Sequence, residues 1–405
     1  MTEVTIERLG LQADGIAPGP IFAARTLPGE VIEGELVGDR IVDPKIATPS
    51  PNRVSPICRH YKSCGGCSLQ HASNSFVSEW QKDVVTRALS AVGLQAPLRR
   101  LHTSPPGSRR RATFGGRRTK KGTIIGFHGQ GSDTLVATPG CQIVRPELLA
   151  VFPILEEITK AGGSRKATLR LSVTDTETGL DISVQGGKPL DIDLRQSLVH
   201  LANNETIARI SWGDEIIAQK VAPVLTFGTA PVPIPPGAFL QATAEGGAAL
   251  LTSVSEAVSG ASSVLDLFAG CGTFSLPIAI SSKVYAVEND VALLSALDAG
   301  WRHAEGVQRV TTEKRDLFRR PMTPDELERF DAVVIDPPRA GAEAQTHELA
   351  AAKVQRIASV SCNPVTFARD AAILTKSGYT LDWVDIVDQF RWSTHIELAA
   401  SFSRR

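Results

Sequence analysis

The stretch Val264-Leu-Asp-Leu-Phe-Ala-Gly-Cys-Gly-Thr-Phe-Ser275 decides the fold. Its apolar start reads as a buried strand, which runs through a glycine turn into a helix. Gly270 and Gly272 let the backbone approach a ligand closely. A dinucleotide fingerprint asks for a third glycine where Ser275 stands, so the turn is a poor NAD site. An acid then ends the next strand, Tyr285-Ala-Val-Glu288, where a carboxylate can accept both hydroxyls of a ribose. Strand, G-x-G turn and acid-ended second strand point to S-adenosylmethionine. A nucleotide-binding turn and a purely structural α/β turn are the alternatives.

Outward from that stretch, strand-like runs at Ser263–Phe268, Lys283–Val287, Ala332–Ile335 and Arg356–Val360 alternate with helical stretches. That is the pattern of a doubly wound α/β sheet. Asp316 follows the third strand region, where it could meet an adenine edge or simply cap a helix before Leu317-Phe318. The fourth strand, beside the first, ends in Asp336-Pro-Pro-Arg339. An aromatic residue in place of Arg339 would suit methylation of an exocyclic amine, so the arginine argues against it. Next comes Ser361-Cys362-Asn363-Pro364, which places a cysteine at the carboxyl end of a strand. A free cysteine is by default a small buried hydrophobe. Here it also supplies what methylation of a pyrimidine carbon requires. A thiolate adding to C6 makes C5 nucleophilic, and a base must later remove the C5 proton. Glu397, in Thr394-His-Ile-Glu397, is either that base or a surface carboxylate on the last strand.

The chain of 405 residues is long enough for two or three domains, and its 42% hydrophobic content is that of a globular protein. No apolar run approaches the ~18 residues of a membrane span, and the N-terminus has no secretory h-region. A cytoplasmic protein is the expectation. Residues 1–48 alternate short strands with turns, as in a small β-barrel. Residues 49–73 are loop-like, with prolines ahead of three clustered cysteines. A helix is predicted over 74–93, capped by Ser73 or Ser75, with Phe76, Trp80, Val84 and Leu89 on one face. Residues 94–235 look β-rich, and Pro231-Val-Pro-Ile-Pro-Pro236 reads as a stiff linker.

Formal net charge is zero, but no acid lies between Asp83 and Asp133, a stretch carrying ten arginines and lysines. A solvated face usually mixes signs, so an unneutralised run suits phosphate. Three of the six cysteines, Cys58, Cys64 and Cys67, lie within ten residues of one another. That clustering suggests a metal site, for which zinc is the first thought, rather than disulfides.

Leu267-Phe-Ala-Gly-Cys-Gly-Thr-Phe, Asp336-Pro-Pro-Arg-Ala-Gly, Ser361-Cys-Asn-Pro and His395-Ile-Glu together resemble the bacterial RNA 5-methyluridine methyltransferases, the TrmA/RumA family. The resemblance implies four parts: an OB-like TRAM barrel at 1–48, a cluster loop at 49–73, a β-rich RNA-binding domain at 74–235, and a Rossmann-like class I methyltransferase domain at 236–405. Helix 74–93 is then free to pack on the catalytic domain. Cys362 would be the nucleophile and Glu397 the general base. Gln241, Phe268, Thr273, Glu288, Asp316 and Asp336 match cofactor-contacting positions. Cys58, Cys64 and Cys67 with the distant Cys141 resemble a 4Fe–4S site, with zinc as the alternative metal. Arg109, Arg110 and Arg111, followed by Arg117 and Arg118, resemble an RNA-contacting basic strand. The family often has Asn at the places of Thr273 and Thr243, and Phe390-Arg-Trp-Ser-Thr394 departs from its Phe-Pro-x-Thr pattern.

Possession of both barrel and cluster implies 23S rRNA as substrate, methylated at C5 of one uridine by a cytoplasmic monomer with no membrane partner. The same reaction on transfer RNA, and a non-catalytic RNA-binding assembly factor, are the rival readings.

Overall fold

Buried parallel strands dictate the architecture. The computed structural model describes residues 2–404. Three elements that precede the catalytic strands in the chain pack against them: α1 (Asn74–Ser90), β1 (Leu98–Thr103) and α2 (Ala244–Ala257). The catalytic region then supplies β2 (Ser263–Leu267), β3 (Lys283–Glu288), β4 (Val310–Lys314), β5 (Ala332–Ile335), β6 (Arg356–Ser361), α3 (Pro364–Lys376), β7 (Thr380–Asp388) and β8 (Glu397–Ser403). The strands β1 to β8 form one eight-stranded sheet in the order β4-β3-β2-β5-β6-β8-β7-β1. The order reverses between β2 and β5, as the doubly wound reading requires. All four residues of β5 are buried, which is why such a strand reads as a continuous apolar run.

Residues 2–48 form a six-stranded sheet over a small core of Ile6, Ala17, Ala23, Ile32 and Ile41. Its edge strands Thr2–Thr5 and Arg8–Leu9 are not hydrogen-bonded to each other, so the expected barrel is a half-barrel. Glu30 fastens it to the following loop. Its buried carboxylate accepts N–H groups of Leu27 and Ser50 and pairs with Arg53. Helix α1 begins at Ser73, whose hydroxyl accepts the Phe76 N–H at 3.3 Å. Its buried face, Val77, Trp80, Val84 and Leu89, shares a core with the catalytic sheet and α3.

A seven-stranded sheet between Arg111 and Gln219 is packed by helices Phe152–Gly162 and Ile192–Ala202. Two sequence expectations change here. Residues 98–103, expected with this β-rich part, instead extend the catalytic sheet beside β7. The proline-rich 231–236 segment is not a free linker: Ala230–Pro233 pairs with Val224–Phe227. A two-stranded ribbon needs an N–H from alternate residues only, so Pro231 and Pro233 both fit where none is required.

Asp385 anchors the added edge strand. It takes two hydrogen bonds from the Arg99 guanidinium, one from the Arg100 N–H and one from the Ser253 hydroxyl. Asp385→Ala strands the Arg100 N–H, while Arg99 keeps Glu256 and Ser253 keeps the Ala249 carbonyl, and should lower the unfolding free energy by about 1–2 kcal/mol. Denaturant titration checks this, and a loss below about 0.5 kcal/mol would mean that β1 is held by its backbone pairing alone.

Candidate active site

The strand ends converge on a cavity of about 550 Å³ at the carboxyl edge of the sheet. Gln241, Phe268, Thr273, Glu288, Asp316, Asp336, Cys362 and Glu397 all line it. The turn after β2 is built for close approach. Phe268 (φ 63°), Gly270 (φ 57°) and Gly272 (φ 92°) all take left-handed backbone conformations. A Cβ on Gly272 would also stand 2.9 Å from Leu276 and Leu297. The Phe268 ring packs on Phe318 with centroids 5.4 Å apart, an apolar wall at the cavity edge.

Glu288 is held by its own neighbourhood. One oxygen accepts the Gly270 N–H at 3.0 Å, the other the N–H groups of Asn289 and Asp290 at 2.7 and 3.0 Å. A carboxylate aimed this way keeps lone pairs for a vicinal diol. Asp316 accepts the Phe318 N–H at 3.0 Å, so it caps a turn and lines the cavity at once. No helix follows it directly, so the expected helix cap is a turn cap, and its place on the cavity lining is what an adenine contact requires.

Asn363 and Pro364 turn β6 into α3. The Asn363 side chain accepts the Val365 N–H at 3.1 Å, and Pro364 stands in the first helical turn, where its missing N–H is harmless. Cys362 is thereby left half-buried at the cavity wall. β6 pairs antiparallel with β8 in the register Ser361–Leu398, which brings Cys362 and Glu397 to the same end of adjacent strands. Glu397 is 5% exposed, so it is no surface carboxylate.

These groups crowd negative charge into a dry space. Burial, then Asp336, pushes Glu397 up to about 8, with Gln389 opposing. Burial and the neighbouring Asp266 push Asp336 up to about 7. Asp266, inside β2 against the Ser275 hydroxyl, is likewise pushed up to about 7 by burial. The Cys362 thiol is raised by burial, Glu397 and Asp336, and Arg339 is the side chain that works toward the thiolate. A carboxyl that changes protonation near neutrality beside a cysteine suits proton transfer.

Sequence reasoning missed Gln389. It is 1% exposed and bonds both Gln241 and Glu397. No pattern marked it, because a single glutamine after a strand carries no periodic signal. Thr243 is explained locally: its hydroxyl caps α2 by accepting the Gly246 N–H at 2.9 Å.

The basic run divides. Arg87 pairs with the nearby Asp83, Arg99 with Asp385 and Glu256, and Arg100 with Glu256, so acids far along the chain neutralise two of the ten basic residues. Arg109, Arg110 and Arg111 meet backbone carbonyls instead, of Arg111, Gln241 and Gly237 respectively. Arg111 lies over the exposed Phe239 ring at the cavity lip, 5.8 Å from its centroid. Arg117 and Arg118 sit toward the opposite end of the same strand, about 20 Å further along at the usual strand rise.

Cys58, Cys64, Cys67 and Cys141 line a second cavity of about 380 Å³, together with Arg109, Phe390 and His395. All four are free thiols, and burial raises Cys64, Cys141 and Cys67, the last to about 12. Among the described residues, no group of three His, Cys, Asp or Glu side chains that could hold a metal ion is formed. The four cysteines expected as metal ligands therefore share one cavity but do not form a ligand shell. The hairpin before Glu397 closes this cavity. The Trp392 carbonyl, in a left-handed residue, accepts the N–H groups of Ser68 and Leu69 at 2.7 and 2.9 Å.

Known proteins are similar to this chain in sequence and fold. The tRNA (uracil-5-)-methyltransferase family profile matches residues 233–405. An uncharacterized RNA methyltransferase of Brucella suis is 42% identical over 99% of this chain and 98% of its own length. The 23S rRNA (uracil(1939)-C(5))-methyltransferase RlmD of Nitrosococcus oceani is 29% identical over 99% of this chain and 96% of its own. The tRNA (uracil-54, C5)-methyltransferase of Pyrococcus abyssi, solved with S-adenosyl-L-homocysteine, has the same fold over 99% of both chains, with TM-score 0.78 and 23% identity. Among the described residues no helix is long and apolar enough to cross a membrane.

The raised carboxyls predict a pH dependence. The folded protein keeps protons on Asp266, Asp336 and Glu397 up to about 7, 7 and 8, while the unfolded chain releases them near 3.8, 3.8 and 4.5. Stability from these groups is full at low pH and lost as pH rises through that window. The melting temperature should fall less steeply across it for Glu397→Gln than for the wild type. Equal slopes would show that Glu397 is not held protonated.

Proposed function

The chain belongs to the RNA uracil-C5 methyltransferase family, and on that premise we propose that it methylates a uridine of large-subunit ribosomal RNA, with Cys362 as nucleophile and Glu397 as general base. The observation that carries the assignment of roles is the β6–β8 register, which sets thiol and carboxyl side by side at the cavity. The target uridine lies in a loop and is flipped into the cavity, since a thiol cannot reach C6 within a base stack.

The cavity fits S-adenosylmethionine by its chemistry: an acid on a vicinal-diol site, aromatic walls, and a glycine turn. Gln241, Phe268, Thr273, Glu288, Asp316 and Asp336 would hold it, and when bound it supplies the methyl group that C5 acquires. The Cys362 thiolate adds to C6 and turns the ring into an enolate with carbon nucleophilicity at C5. Arg339 is the side chain near the sulfur that favours the thiolate. Glu397 then takes the C5 proton, the C5=C6 bond re-forms, and the C6–S bond breaks to return the thiolate. Arg111 holds a phosphate at the cavity lip beside Phe239, which is available for stacking, and Arg109 and Arg110 add positive charge behind it.

Four free thiols around one cavity are a donor set suited to a 4Fe–4S cluster, with zinc as the other metal for such a set. Cys58, Cys64, Cys67 and Cys141 would hold it and staple the 49–73 loop to the strand region behind the arginines. Free cysteines throughout also suit the cytoplasm. Protein purified without oxygen should be brown, with iron and sulfide present. A colourless zinc protein would sink the cluster.

The 23S reading draws on the full-length likeness to the Nitrosococcus enzyme and on the half-barrel and cysteine set. Transfer RNA is the second reading, because the archaeal tRNA enzyme shares the fold along its whole length. Total RNA from cells lacking the protein, incubated with it and methyl-labelled donor, should carry label as 5-methyluridine in the large ribosomal RNA. Label confined to transfer RNA would overturn that substrate. Cys362→Ala should give none, and undiminished turnover by that variant would remove the covalent mechanism.

A further inference from the structure

Gln389 follows the last residue of β7 and has every hydrogen-bonding group of its side chain engaged. Its Oε1 accepts the N–H groups of Ala242 and Thr243 at 2.7 and 3.3 Å. Two backbone donors settle which end of the amide is oxygen. The NH₂ end gives one hydrogen to Gln241 Oε1 at 2.5 Å and the other to Glu397 Oε2. Gly246 makes the room, since a Cβ there would stand 2.6 Å from that of Gln389. Arg110 holds the far end of the chain of contacts by donating to the Gln241 carbonyl at 3.2 Å.

We propose that Gln389 is a positioning residue for the elimination step: by engaging Glu397 Oε2 it leaves Oε1 as the oxygen that takes the C5 proton, and it ties the base to the cofactor-pocket glutamine. The inference rests on Glu397 being the base. The proton passes from C5 to Oε1, the C5–H electron pair becomes the C5=C6 bond, and the C6–S pair returns to Cys362. A proton on Oε2 would face the Gln389 N–H, donor against donor. A proton on Oε1 leaves that hydrogen bond whole. Asp336 from the end of β5, Asp388 from β7 and Cys362 from the end of β6 face the same carboxyl, so its proton uptake depends on their charge as well.

Gln389→Glu tests this without removing the acceptor for Ala242 and Thr243, and Gln389→Leu removes donor and acceptor together. The full chain is reacted with end-labelled total RNA from cells lacking the protein. Decay of the denaturation-resistant protein–RNA adduct is then followed across pH. Adduct decay counts only molecules that folded and reacted, so loss of fold does not obscure the rate. Both variants should release RNA at least ~10-fold more slowly than wild type, a part of the ~10²–10⁴-fold that a placed base provides, with a displaced pH profile. Glu397→Gln should be slower still. Decay of both Gln389 variants within about twofold of wild type, with Glu397→Gln stalled, would overturn the role of Gln389 alone. Unslowed decay by Glu397→Gln would overturn the base and this inference with it.

Discussion

A shortage of solvation governs this site. Asp336, Glu397 and Cys362 line one cavity at the carboxyl edge of a parallel sheet, with Asp266 buried inside β2 near Asp336, and so poorly solvated a set cannot hold four negative charges. After burial itself, Asp266 raises Asp336, Asp336 raises Glu397, and Glu397 and Asp336 together raise Cys362. The sheet forces this crowding. β2, β5 and β6 are adjacent parallel strands, and β8 joins β6 antiparallel so that its first residue, Glu397, comes to the end of the sheet where β6 gives way to Cys362. A carboxyl that exchanges its proton near neutrality and a thiol that needs help to lose one are consequences of where strands end.

The rest of the chain braces that edge. The 389–396 hairpin between β7 and β8 meets Glu397 of the reaction cavity through the buried Gln389 and lines the sulfur cavity with Phe390 and His395. The cysteine loop is bonded to it at Trp392 and reaches the half-barrel through Ser50, Arg53 and Glu30. Arg109 lies over Phe390 on one side, while Arg110 holds Gln241 on the other. The basic strand proposed to meet phosphate is thus also part of the wall behind the base. The proposed phosphate contacts and the placement of the carboxyl therefore involve the same segment.

Much of this was legible in the sequence. The glycine turn, the acid ending β3, Asp336 and Cys362 lie at strand ends whose apolar runs are unmistakable, so their convergence followed from topology. The resemblance supplied Gln241 and Glu397, which spacing alone left open. Three things were hidden. Asp385 and Glu256, which neutralise Arg99 and Arg100, are more than 150 residues away, and charge counting in a window cannot see them. β1 joins its sheet by a parallel pairing with β7, which lies far along the chain near its other end. Gln389 acts through its amide orientation, which depends on two N–H groups from another segment.

The most direct measurement uses RNA carrying 5-fluorouridine, whose C5 fluorine no carboxylate can remove as a proton. The thiolate should add, C5 should be methylated, and the product should stay bound. Mass spectrometry of the digested complex is predicted to find a methylated fluorouridine attached to the peptide containing Cys362. Complete release of RNA, or attachment to any other residue, would contradict covalent catalysis by Cys362.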